Sequence, residues 1–85
     1  MNDDPNYLYL MELRKNNPKR FYFIRLSEKY DRIMSAYQKK NKELVCERVD
    51  ELNDFIKTRS GMYGITAPEL KQYFSVNNMS LNFKF

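Results

Sequence analysis

The sequence PKRFYFIRLSEKY, residues 18–30, decides the fold, because it fits either a strand or the start of a long helix. In an extended chain, Phe21 and Phe23 would point to one side and the residues between and beyond them to the other. The aromatic and β-branched composition of this stretch is typical of a strand. We therefore predict a strand over residues 20–26, with a long helix beginning here as the alternative.

The far end of the chain carries a similar pattern. Residues 79–85, MSLNFKF, alternate strictly between apolar and polar side chains, which indicates a half-buried strand. Two aromatic segments of this kind can pair antiparallel and bury their phenylalanines against each other. We predict a short antiparallel sheet formed by residues near 20–26 and 79–85.

Helical patterns fill the sequence around these two segments. Asp4 is suited to cap a first helix in which Pro5 takes the first position, and residues 16–18 end it. Ser27 is suited to cap a second helix that covers residues 28–40.

The third helical segment, from Asn41, either continues the second helix or begins a new one, and Gly61 ends it. Its apolar residues recur at steps of four, three and four: Val45, Val49, Leu52 and Ile56. Four carboxylates each stand two positions earlier, about 200° around the helix, and we call them the acidic ridge: Glu43, Glu47, Asp50 and Asp54.

A capping-box pattern, Thr66 to Glu69, begins a last short helix that Asn77 and Asn78 end. The expected fold class is α+β, a small and mostly helical domain of three to four helices with the short sheet. Residues 1–85 are too few for more than one domain.

The size of the chain also limits its stability. A domain of 85 residues buries only roughly 60 per cent of the surface of its unfolded chain, so a homodimer with a shared helical core is one expected way to gain stability. Cys46 is the only cysteine, which excludes a disulfide framework. The acidic start and the lack of a long apolar run predict a soluble, cytoplasmic protein without a signal peptide or a membrane partner.

Charge divides the chain into blocks. The net charge is +4, but residues 14–42 hold ten basic side chains and two acidic ones, whereas residues 43–54 hold five acidic and one basic. A basic block of this density favours an anionic partner. Its members form the basic face on which we predict nucleic-acid binding, RNA more than DNA: Arg14, Lys15, Lys19, Arg20, Arg25, Lys29, Arg32, Lys39 and Lys40.

Tyrosines are interleaved with these cations. Tyr30 and Tyr37 fall on the apolar stripe of the predicted second helix, so we expect them to pack inward. Tyr22 is the aromatic residue that we predict to stack on an unpaired base.

Catalytic chemistry lacks its usual groups. The chain has no histidine, which removes the commonest general base and metal ligand. Cys46 alone cannot form a zinc site, and the two glycines of GMYG do not make a phosphate-binding loop. We predict a protein that is not an enzyme and that needs no cofactor and no metal.

Two short motifs resemble nucleic-acid-binding families. KRFYFIRL, residues 19–26, resembles part of the aromatic motif of RNA-recognition domains, without its glycine and without the four strands of that fold. Residues 64–83, GITAPELKQYFSVNNMSLNF, resemble a helix-turn-helix. That resemblance implies a small DNA-binding regulator as an alternative.

The composition as a whole, rich in Asn, Lys, Tyr and Phe, resembles the small accessory proteins of T-even-like phages. The resemblance implies a host-takeover or counter-defence factor that inhibits a host toxin or nuclease, in one class with the help of RNA. The function predicted here is masking or bridging of RNA through the basic face. The alternative is a protein–protein inhibitor or adaptor that contacts a host protein through the basic face and the acidic ridge.

Overall fold

The computed structural model describes residues 5–85, which form four helices followed by an extended tail. The helices are α1 (Pro5–Asn16), α2 (Pro18–Gln38), α3 (Lys42–Arg59) and α4 (Ala67–Val76). The tail is residues 77–85, and no strand occurs anywhere between residues 5 and 85. The described chain is therefore all-α, and the predicted α+β class is wrong. The predicted cap Asp4 lies outside the described residues.

The strand predicted at residues 20–26 is wrong, because these residues belong to α2. Their side chains continue an apolar stripe that runs along the helix at steps of four, four, three and four: Tyr22, Leu26, Tyr30, Ile33 and Tyr37. Burial of this whole stripe outweighs the strand propensity of the three aromatic residues and one β-branched residue in this segment. The alternative of a long helix is the correct one.

The start of α2 also moves with this correction. Asn17 caps the helix by accepting a hydrogen bond from the Arg20 backbone N–H at 3.3 Å, and Pro18 occupies the first turn, where no amide donor is needed. Ser27, predicted as the cap, lies inside α2 instead. Its hydroxyl hydrogen-bonds the hydroxyl of Tyr73 in α4.

Helices α2 and α3 form a hairpin that holds the core. A short connection joins them, with Lys40 in the left-handed region at φ 57° and Asn41 as the cap of α3. Val45 and Leu52 face α2 from the predicted apolar stripe of α3, and both are buried. The buried apolar residues of the described chain are Tyr22, Leu26, Ile33, Ala36, Val45, Leu52 and Ile65.

Helix α4 packs on the first half of α2. Thr66 and Glu69 make the predicted capping box, in which each side chain bonds the backbone N–H of the other residue. The Tyr73 ring stacks on Phe23 with centroids 4.4 Å apart. Lys19 reaches Glu69 at 3.1 Å and ties the start of α4 to the start of α2.

The tail returns along α2 and ends between α2 and α3. Tyr30 donates its hydroxyl proton to the Ser80 carbonyl and accepts the Ser80 N–H, both at 3.1 Å, and Tyr37 donates to the Lys84 carbonyl at 3.0 Å. Met79, Leu81 and Phe83 are half-buried, so the predicted alternation is correct for burial at these positions, but Phe85 is 59% exposed. The predicted sheet is wrong, because the partner of the tail is a helix.

The tail also bears on the helix-turn-helix resemblance. Residues 79–85 should hold the recognition helix of such a motif, but they are extended.

Within residues 5–85, none of the helices has the length and apolar character required to cross a bilayer.

Candidate nucleic-acid interface

Side chains from three helices converge on one cleft beside the hairpin. Helix α2 contributes Phe21, Arg25 and Lys29, which lie four residues apart and therefore share one face. Helix α3 contributes Phe55 and Arg59 in the same way. Arg14 from the last turn of α1 and Tyr63 from the turn after α3 complete a cleft of about 220 Å³, which we call the cationic cleft.

The turn after α3 places Tyr63 in the cleft. Gly64 has a φ of 67°, a left-handed conformation that glycine adopts without strain, and the Ile65 N–H donates to the Ser60 carbonyl at 2.8 Å. The Tyr22 and Ser60 hydroxyls are 2.8 Å apart, which fastens the turn to α2. The Tyr63 ring then lies 6.0 Å from the Phe21 ring, centroid to centroid.

Two of the aromatic rings of the cleft hold cations against their faces. The Arg14 guanidinium carbon is 6.0 Å from the Phe21 centroid, and the Lys29 Nζ atom is 5.2 Å from the Phe55 centroid. Attraction to the ring quadrupole keeps such cations near an apolar surface. The rings therefore orient positive charge, and neither of these two faces is free for a base while the cation covers it.

The lining of the cleft includes four cations and no carboxylate of residues 5–85. Among residues 5–85, Arg14, Lys29 and Arg59 form no ion pair, and no Asp or Glu lines the cleft. Arg25 alone is paired, to Glu28 of the same helix at 2.7 Å. Both partners are largely exposed, so this pair is weak and can exchange for another anion.

The remaining predicted cations are placed elsewhere. Lys15 and Arg20 are exposed outside the cleft, and Lys19 is committed to Glu69. The backbone N–H of Thr66 and the Lys19 ammonium both bond the Glu69 carboxylate and lower its pKa.

The predicted face also breaks further along α2. Arg32 lines an adjoining depression of about 330 Å³ together with Glu51 and Asp54, whose charges oppose its own. Lys29 and Arg59 of the cationic cleft also line this depression. Lys39 and Lys40 follow the end of α2, about 21 Å along the helix axis from Arg25. The single basic face is thus divided, and three of its members, Arg14, Arg25 and Lys29, meet in the cationic cleft.

Tyr22 is not available for the stacking that we predicted. Its side chain is fully buried, and its ring stacks on Phe55 at 5.1 Å between centroids. Burial raises the pKa of the Tyr22 phenol, and the hydrogen bond with Ser60 partly opposes that rise. Tyr22 supports the floor of the cleft from inside the core.

The acidic ridge lies on α3, and its member Asp54 lines the depression that adjoins the cationic cleft. All four of its carboxylates are exposed on α3, as the sequence predicts, and none forms an ion pair with a described residue. In residues 5–85, no group of three or more potential ligands is arranged to hold a metal ion.

Sequence reasoning missed four residues of the cleft: Phe21, Phe55, Arg59 and Tyr63. Phe21 was assigned to the sheet, and its spacing to Arg25 and Lys29 becomes informative only once α2 is helical. Phe55 and Arg59 show the same four-residue spacing on α3, a signal that was present in the sequence. Tyr63 has no such signal, because the turn alone determines its position.

Comparison of the chain with protein-family models, with curated proteins and with solved structures gave no match.

Proposed function

We propose that the protein binds single-stranded nucleic acid, RNA in preference to DNA, through the cationic cleft. The observation that carries this proposal is the convergence of Arg14, Arg25, Lys29 and Arg59 on one cleft whose lining includes no carboxylate of residues 5–85. Cations held in this way attract phosphate, and most of the affinity comes from release of the counterions around the nucleic acid. Binding would then be strongly salt-dependent and largely independent of sequence.

The mode of action we propose is occupancy. No catalytic chemistry is needed to mask or bridge RNA, and the tested property is binding alone. Inhibition of a host toxin or nuclease, with RNA as the bridge, remains a prediction that rests on the compositional resemblance to phage accessory proteins alone.

The test is fluorescence anisotropy of a labelled short single-stranded RNA, titrated at low and at physiological salt. Replacing Lys29 and Arg59 by glutamine should weaken binding by at least about tenfold, because hydrogen bonds to charged groups are each worth about 1.5–3 kcal/mol. The slope of log affinity against log salt should also fall by about 0.7 for each lost phosphate contact.

A matched variant controls for net charge. Lys57 and Lys71 are exposed and do not line the cleft, so Lys57→Gln with Lys71→Gln removes the same charge elsewhere. The control should bind nearly as the unaltered protein does. Equal losses in the two double variants would show that net charge, not the cleft, drives binding, and absence of binding at low salt would refute the proposal.

A protein partner is the second candidate, and the observation that favours it is the exposed acidic ridge, which forms no ion pair within residues 5–85. Reversing the ridge charges with Glu47→Lys and Asp54→Lys should then abolish capture of a partner that survives nuclease treatment. If nuclease alone releases everything that co-purifies, the ridge is only a solvated helix face.

A further inference from the structure

The arrangement of the cations matters as much as their number. Cations that follow an extended nucleic-acid backbone are spread along a groove, one or two near each phosphate. Here four cations from three helices surround one cleft of about 220 Å³. A single internal phosphodiester brings one negative charge, which is less than this cleft can neutralise.

We infer that the cationic cleft binds the terminal phosphate monoester of a single-stranded chain, an inference that rests on the proposed nucleic-acid function. A phosphate monoester carries about −1.5 to −2 charges at pH 7 and three strong acceptor oxygens. These oxygens match the planar forks of Arg14, Arg25 and Arg59, which can each donate two parallel hydrogen bonds.

Two features prepare the cleft for this ligand. The Phe21 and Phe55 faces already hold Arg14 and Lys29 against the cleft wall, which reduces the ordering needed on binding. Arg25 has only an exposed carboxylate, Glu28, to release before it turns to the phosphate. The terminal nucleotide would lie against Tyr63, whose ring no cation covers in the described chain.

The ligand gives the binding a pH signature. The second ionisation of a phosphate monoester has a pKa of about 6, so its charge falls toward −1 at lower pH. The ionisable groups around the cleft are Arg14, Arg25, Lys29, Arg59 and Tyr63, with Glu28 at its edge and Glu51 and Asp54 in the adjoining depression. The chain has no histidine, the only side chain that ordinarily changes charge between pH 5 and 8.

The experiment compares three labelled RNAs of one sequence: one with a 5′-phosphate, one with a 3′-phosphate and one with hydroxyl groups at both ends. The full chain should bind one or both phosphorylated RNAs about tenfold more tightly than the hydroxyl form, which corresponds to one additional charge-assisted hydrogen bond. The arm with the gain identifies which end is bound. A nucleoside monophosphate should compete more strongly than the nucleoside.

The ratio of the affinities for phosphorylated and hydroxyl RNA isolates the terminal phosphate, because changes in the protein's own charge affect both RNAs. This ratio should shrink by several-fold between about pH 7.5 and pH 5. Arg14→Gln should reduce it as well, whereas Lys57→Gln, on the far side of α3 from Arg59, should leave it unchanged.

The two ways of failing are distinguishable. Equal affinity for the three RNAs overturns the terminal-phosphate inference and leaves the proposed function standing. No binding to any of them overturns the proposed function itself. A preference that persists in Arg14→Gln and does not change with pH places the terminal phosphate outside the cleft and also overturns the inference.

Discussion

Residues 20–26 and 79–85 look alike in sequence and differ completely in structure. Each has seven residues and contains two phenylalanines that stand two positions apart, Phe21 and Phe23 in the first and Phe83 and Phe85 in the second. The first segment lies in the N-terminal half of α2, and its Tyr22 and Leu26 side chains are wholly buried. The second is an extended tail that two tyrosine hydroxyls hold by its backbone. Aromatic side chains two positions apart in a segment of seven residues therefore do not by themselves distinguish a strand from a helix or from an extended tail.

The neighbouring sequence separates the two cases. Beyond residue 26 the apolar positions continue at helical spacing to Tyr37, so one uninterrupted helix buries all of them. Before residue 79 the helical pattern stops at Asn77 and Asn78, and Asn78 takes the left-handed conformation with φ 54°. A segment that follows such a stop can no longer continue the helix.

The largest difference between the two segments should appear when one leucine is truncated in each. Leu26 is fully buried in the core between α2 and α3, so Leu26→Ala should lower the free energy of unfolding by about 2–5 kcal/mol. Urea unfolding followed by circular dichroism measures the loss. A loss below about 1 kcal/mol would mean that residues 20–26 do not pack as this helix places them.

The matched change in the tail should cost much less. Leu81 is half-buried and belongs to an extended segment, so Leu81→Ala should cost about 1 kcal/mol.

Hydrogen exchange should show the same contrast, with the amides of residues 81–85 exchanging far faster than those of residues 22–30, because few tail amides are bonded to the protein. Equal protection in the two segments would indicate that the tail pairs as a strand after all.

The same comparison shows what sequence could predict. The predicted cap Thr66 begins α4, and Asn41 begins α3, one of the two alternatives that the sequence left open. Ser27, also predicted as a cap, lies inside α2, which Asn17 caps. The sequence did not show which distant segments contact each other, because a pattern only seven residues long carries no information about the element that will cover it. Because residues 20–26 were predicted to form a strand, the arrangement of the site residues on α2 was missed as well.

The sequence predicted the positive charge of the site, but it did not predict how the charged side chains are arranged. A strand at residues 20–26 separates Arg25 from Lys29, whereas the helix aligns them with Phe21. Arg59 joins them only through the α2–α3 hairpin, across 30 residues of sequence. Such a contact depends on tertiary packing that local patterns do not specify.

The smallest expected effect on stability concerns Glu69, which ties the start of α4 to the start of α2. Glu69 bonds Thr66 and Lys19, and these partners lower its pKa. Because the folded state holds the carboxylate at a lower pKa than the unfolded chain, its stabilisation is complete above the unfolded pKa of about 4.3. That stabilisation is lost as the pH falls through the folded pKa. Glu69→Gln keeps the capping geometry, since glutamine also completes a capping box, but removes the charge.

We therefore expect Glu69→Gln to unfold at a slightly lower urea concentration than the unaltered protein at pH 7, with a difference that shrinks as the pH falls below about 4.3. Lys19→Gln should reproduce part of the loss at pH 7, and high salt should reduce that part, because the Lys19–Glu69 pair is exposed. A difference that stays constant down to pH 3 would mean that the variant has lost the cap itself. In that case α4 would be held to α2 by Tyr73 and Phe23 rather than by charge.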